Sequence, residues 1–216
     1  MSRRSWLGAA SGALALIVVL AYLNFATNVV SLPDRLTLVL AFAIGPVAIC
    51  GVLEIYRELA ATPLATQVRL GTVFLIIAFA LLNLMLVVQQ SIFIPYREAM
   101  AAATDDAVRE SMRHVFRGVN QVQLGIDVSF DIFYSLGLIL VSIALTRTTR
   151  FGKLLGIFGA LTAGALLILN MATFPMPPGE AGLVDLGPLT GVWWLVLILG
   201  GDITGRKRPG IAGNTA

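Results

Sequence analysis

Long apolar runs, separated by short polar or proline-bearing stretches, set the pattern of this chain. A helix needs about 20 apolar residues to cross the hydrocarbon core of a bilayer. Six segments come close to that requirement, the last being the shortest: 7–29, 36–57, 70–94, 120–146, 152–174 and 188–203. Pro33 separates the first two, Pro63 the second and third, and Pro175, Pro177 and Pro178 follow the fifth. Gly187-Pro188 opens the sixth, where proline suits the first helical turn. Pro46 falls inside the second span and predicts a kink, because proline removes a backbone hydrogen bond there. Between the third and fourth spans, Met100, Ala103, Ala107, Val108, Met112, Val115 and Phe116 recur at helical spacing. That periodicity predicts an amphipathic helix over 97–117, lying in the outer headgroup layer. Thr104 is its expected cap, Asp105 and Asp106 suit the first-turn dipole, and Arg109, Arg113 and Arg117 form a row on another face. The expected architecture is one all-α membrane domain over 1–216: a polytopic bundle of six transmembrane helices with one outer amphipathic helix.

Composition agrees with the pattern. The 216 residues are 57% apolar and 12% charged, against about 25% charged in a soluble domain. A soluble enzyme, a disordered chain and a disulfide-built secreted domain are excluded. The net charge of +3 does not point to nucleic acid, because the basic residues are scattered over loop ends, as a membrane protein's cytoplasmic bias requires. With the N-terminus inside, the cytoplasmic side receives Arg3, Arg4, Arg57, Arg69, Arg147, Arg150, Lys153, Arg206, Lys207 and Arg208. The other side receives Arg35, Arg97, Arg109, Arg113 and Arg117. This 10-to-5 split predicts both termini in the cytoplasm. Ser2-Arg3-Arg4-Ser5-Trp6-Leu7 has the look of a twin-arginine export signal, but the apolar run behind it is too long for one, and an uncleaved first span is expected. The single cysteine, Cys50, lies in an apolar run and reads as a small packed hydrophobe.

Counting removes several chemistries. His114 is the only histidine, which excludes bis-histidine haem ligation and a histidine-based metal site. Lys153 and Lys207 flank spans, so no Schiff-base lysine lies within one. No nucleophile elbow or phosphate-cradling loop occurs in the sequence. The expectation is a protein that is not an enzyme, with no cofactor and no metal.

The polar residues within the spans carry more information. Asn120, Gln123, Asp127, Asp131, Tyr134 or Ser135, and Ser142 advance by three or four residues and share one face of the fourth helix. Asp127 is expected at the outer interface and Asp131 one turn deeper, about 6 Å further in. A carboxylate inside a membrane costs several kcal/mol unless paired or hydrated, which makes Asp131 a site hypothesis. The competing reading is two helix-start acids that complement the dipole. Asn24 and Asn28 close the first span, Gln89 and Gln90 the third, Asn170 and Thr173 the fifth, and Trp193 and Trp194 open the sixth. Together these predict an outward-facing polar pocket with Asp131, Asp127, Asn170, Gln90, Asn28, Tyr134 and Trp193 as ligand-binding residues. The alternative is amide-mediated helix packing with an aromatic belt.

Gly152, Gly156, Ala160 and Gly164 form a small-residue ladder that permits close helix contact, within the bundle or with a membrane partner or second copy. Glu54 and Arg57 are spaced for an interfacial ion pair.

The runs Leu124-Gly-Ile-Asp-Val-Ser-Phe-Asp-Ile-Phe133, Arg150-Phe-Gly-Lys-Leu-Leu-Gly156, Leu169-Asn-Met-Ala-Thr-Phe-Pro-Met-Pro-Pro178 and Ala181-Gly-Leu-Val-Asp-Leu-Gly-Pro188 resemble an uncharacterised family of six-span bacterial integral membrane proteins. The resemblance covers the last 100 residues or so; it implies a bacterial inner-membrane location and brings no activity. The functional expectation is a binding, sensing or transport protein whose partners are the lipid bilayer and a small-molecule ligand or proton, with no nucleic acid. The alternative is a structural or accessory subunit of a membrane complex, without a ligand of its own.

Overall fold

The computed structural model describes residues 34–179 and 181–199, with positions 12, 13 and 17 besides, and the elements among them are all helical. The span expected at 7–29 (those three positions apart), the last residues of the sixth span, and both basic termini lie outside the described residues. Five helices follow in order: α1 (Asp34–Leu59), α2 (Ala65–Ala102), α3 (Asp106–Leu145), α4 (Arg150–Thr173) and α5 (Gly187–Leu199). The first four are long and apolar enough to cross a membrane, and α5 is a shorter apolar helix.

Local chemistry explains where each helix begins and ends. α1 carries Pro46 inside it and stops ahead of Pro63. There the Ala60 and Thr62 amides donate to the Tyr56 and Leu59 carbonyls at 2.7 and 2.9 Å, satisfying groups that a helix end leaves open. Arg57 pairs with Glu54 at 2.9 Å at this end. Asp105 caps α3 by accepting the Ala107 amide at 2.8 Å, and Thr149 caps α4 by accepting the Gly152 amide at 3.1 Å. Between α4 and α5 the loop turns at Gly182, whose φ of 78° lies in the region open to glycine. Asp185 then accepts the Gly187 amide at 2.8 Å just ahead of Pro188.

The expected amphipathic helix over 97–117 is not a separate element. α2 runs through Pro95 to Ala102, the chain turns over residues 103–105, and α3 runs unbroken from Asp106 into the fourth apolar span. Part of the apolar stripe packs on a neighbouring helix: Phe116 meets Phe93 edge-on at 5.2 Å and stacks with Tyr96 at 4.3 Å, whereas Val108 and Val115 stay exposed. Arg109 closes the turn, donating to the Ala103 carbonyl at 2.7 Å and pairing with Asp106 at 3.3 Å. Arg113 pairs with Glu110 at 2.9 Å. With 38 and 40 residues, α2 and α3 are about 57 and 60 Å long, nearly twice the thickness of a hydrocarbon core. They form an antiparallel hairpin that projects well past the end of α4.

Consecutive helices pack against one another, and close contacts are set by glycine. A Cβ on Gly137 would sit 2.9 Å from the Gly71 carbonyl oxygen, and one on Gly71 3.0 Å from that of Gly137, so α2 and α3 touch backbone to backbone. On α4, a Cβ on Gly156 would collide with the Ser142 carbonyl oxygen, and one on Gly159 would lie 2.5 Å from the Ser142 hydroxyl and 2.6 Å from the Trp193 ring. The ladder residue Gly156 is therefore engaged within the bundle, whereas Gly164 has open space beside it. Leu59, Val68, Leu75, Leu138, Val141, Leu145 and Leu197 are fully buried and make the core with Trp193. Apolar side chains also face outward: on α4 Leu161 is 70% and Ile168 67% exposed. Such a surface suits lipid rather than water.

Candidate functional site

The site is built where the hairpin leaves the bundle. α4 ends at Thr173, one turn beyond Asn170. The Asn170 side chain is buried; its Nδ2 donates to the Leu166 carbonyl one turn back at 3.1 Å, and the side chain faces the Asp131 carboxyl across the α3–α4 interface. Asp131 is thus level with the last full turn of α4, and Asp127, about 6 Å further along α3, is level with its end. Both acids are half-buried. Asp185, from the α4–α5 loop, is close enough to act electrostatically on both. Neither Asp127 nor Asp131 has an ion-pair partner among the described residues.

Below the acids the surroundings become aromatic. Tyr134 is buried, donates its hydroxyl to the Thr190 carbonyl at 3.4 Å, and stacks with Phe130 at 5.2 Å. Phe79 of α2 meets Tyr134 edge-on at 5.8 Å and Trp194 at 5.3 Å. Ser135, one turn below Asp131 on the same face of α3, is fully buried, and its hydroxyl has no hydrogen-bond partner. Asn83 Oδ1, Ser142 Oγ and Trp194 Nε1 are the other buried side-chain atoms without partners among the described residues.

Of the seven residues the sequence nominates, the structure brings together Asp127, Asp131, Asn170 and Tyr134. Gln90 is eleven residues beyond Phe79 along α2, about 16 Å from the level of Tyr134 and about 6 Å beyond that of Asp127, on the projecting hairpin. Trp193 stands apart. Its indole N–H donates to the Leu155 carbonyl at 2.8 Å, and Leu155 lies about 22 Å along α4 from Asn170. Burial of the ring against Gly159 makes Trp193 part of the core and not of the acid cluster. Asn28 lies outside the described residues. Asp185 and Thr190 were not nominated. The signal for Asp185 was available, since an aspartate two residues before a Gly-Pro helix start is a cap in waiting. Among the described residues no group of three or more His, Cys, Asp or Glu is placed to hold a metal ion.

Compared with known proteins, the chain matches no family model, no curated protein and no solved structure.

Proposed function

We propose that this is an integral membrane binding, sensing or transport protein whose polar site lies between α3, α4 and the α4–α5 loop, with Asp131 as its charge-bearing residue and Asp127, Asn170 and Tyr134 around it. The observation that carries the reading is the Asp131–Asn170 pair. A carboxyl group set into an apolar helix, beside a buried amide and without a cationic partner among the described residues, is costly to fold around. A bound solute or proton gives that cost a use. The 10-to-5 basic split and the resemblance of the second half support six spans in a bacterial inner membrane, both termini cytoplasmic and the site facing outward. Cysteine labelling tests the orientation: with Cys50 replaced, Ala102→Cys at the end of α2 should react in intact cells with a membrane-impermeant reagent. Reaction only after lysis turns the site toward the cytoplasm.

A second reading, an accessory subunit, draws on the hairpin. Val108, Val115 and Val122 recur every seven residues along α3 and are all exposed, Val115 by 66%, on a stretch that is longer than membrane crossing requires. A stoichiometric membrane partner co-purifying with the chain, and lost on deletion of the hairpin tip, favours that reading.

A further inference from the structure

On the outer face of α3, Val108, Val115 and Val122 are seven residues apart, and Ser111, Gly118 and Gly125 follow them by three. All six are exposed. The same register continues along the helix to Ile132, Leu136 and Ile143, so every exposed large apolar side chain of α3 lies on one seam. Steps of three and four keep such a seam turned toward a partner helix along its whole length. We propose that α3 docks on α3 of a second copy of this chain, parallel and in register along this seam; the proposal rests on reading the hairpin as a docking surface.

Lipid does not account for the seam. α4 turns a comparable stripe outward at Leu154, Leu161 and Ile168, but α4 is no longer than one membrane crossing, and lipid covers it. Val108 and Val115 sit on the part of the hairpin that projects past α4, among five of the seven charged residues of α3. Apolar side chains held there need a protein to cover them.

Charge identifies a second copy as that protein. A symmetric contact sets each residue beside its own twin, so any charge on the seam meets a like charge. Asp106, Arg109, Glu110, Arg113, Arg117, Asp127 and Asp131 all fall elsewhere on the helix. The positions flanking the projecting seam are Ala107, Met112, His114, Val119 and Gln121, and His114 has Glu110 of its own helix 3.3 Å away. A different partner is free to pair charges across the contact, and this seam has none to offer. Copies in one membrane also lie the same way up, which makes their α3 helices parallel. Valine at the seven-residue positions suits two parallel strands.

The glycines are the independent observation. Glycine weakens a helix interior relative to alanine. A Cβ on Gly45, Gly71, Gly137, Gly156 or Gly159 would press into a neighbouring helix, so those five serve close contacts. A Cβ on Gly118 or Gly125 would meet nothing within 4 Å. Their space is open in one copy and is filled when a twin seam lies against it.

The test uses the full chain in lysed membranes of the cells that express it, with Cys50→Ala and one new cysteine at a time. Under copper phenanthroline, Val108→Cys, Val115→Cys and Val122→Cys should each give about fivefold more disulfide-linked dimer than the exposed, off-seam Glu110→Cys and Arg113→Cys, because a disulfide demands close Cβ atoms. In detergent, Gly118→Leu and Gly125→Leu should raise the dimer dissociation constant about tenfold or more while the helical circular dichroism of the chain is kept. Gly164→Leu, which also meets open space, should leave that constant unchanged. Equal cross-linking on and off the seam reports random collision and overturns the proposal. A dimer broken by Gly164→Leu and not by Gly118→Leu overturns it by moving the contact to α4. Cross-links to a species of another mass, or no cross-link with Val115→Cys shielded from a water-soluble maleimide, overturn the second copy and keep the docking surface. A Val115→Cys that does not cross-link and reacts with the maleimide as fast as Arg113→Cys leaves the seam bare, and the docking reading fails with the proposal.

Discussion

Asn170 bonds back to the Leu166 carbonyl within α4 and faces the Asp131 carboxyl on α3. Asn170→Leu removes the amide and leaves the carboxyl facing apolar surface. Leaving a buried polar group without a polar neighbour costs about 1–3 kcal/mol, so a loss of that order is expected in reversible unfolding in detergent. Asp131→Leu in the same background should recover part of it, since it removes the group left unpartnered. Two single losses that simply add in the double variant argue that the residues do not interact. Trp193→Phe should cost about 1 kcal/mol, the net worth of one buried hydrogen bond. The difference between these residues explains what was legible. Asp127, Asp131 and Tyr134 declared a common face through their spacing, and Asn170 was a lone amide near a span end. Trp193 carried no such signal, because a tryptophan near a helix start fits an interfacial belt and a core equally well. Gln90 lies on the arm of the hairpin that runs on past the end of α4, about one turn beyond the level of Asp127, so its place relative to the acids depended on a helix length that the apolar run did not reveal.

At the scale of the elements, hydropathy located the described helices, and prolines or caps marked most of their ends. The region between α2 and α3 resisted the same reading. Helical periodicity reports an apolar stripe and says nothing of what covers it, so a helix on lipid and one arm of a hairpin look alike in sequence. Asp105→Ala tests the hairpin tip. Loss of this cap should cost about 1 kcal/mol locally, read as faster amide hydrogen exchange at residues 107–109. The midpoint of global unfolding should stay unchanged, because the tip stands clear of the core. The small-residue ladder yields a paired test. Gly156→Leu forces α4 away from the Ser142 carbonyl and should cost at least the 1–3 kcal/mol typical of overpacking, whereas Gly164→Leu meets open space and should leave the bundle as stable as the parent. Equal tolerance of both substitutions contradicts the described α3–α4 contact.

For the whole molecule, the outward apolar faces of α4 and the projecting hairpin define two environments. A fluorophore on Leu161→Cys should be quenched by brominated lipids, and one on Ala102→Cys by aqueous iodide. The reverse pattern contradicts the placement of α4 in the bilayer. The hairpin is a tied unit, its arms joined at Gly71–Gly137 and again by Phe93, Tyr96 and Phe116, while its closest backbone contact with α4 is low in the bundle at Gly156–Ser142. Viewed mechanically, that contact is a fulcrum. From Ser142 to Asp131 is eleven residues, about 16 Å, and from Ser142 to Asp105 is thirty-seven, about 55 Å. A rigid tilt that opens the Asp131–Asn170 gap by about 1 Å therefore carries the tip about 3 Å in the same direction. On the binding reading proposed above, a solute entering between Asp131 and Asn170 is thus geared to a displacement about three times as large at the hairpin tip.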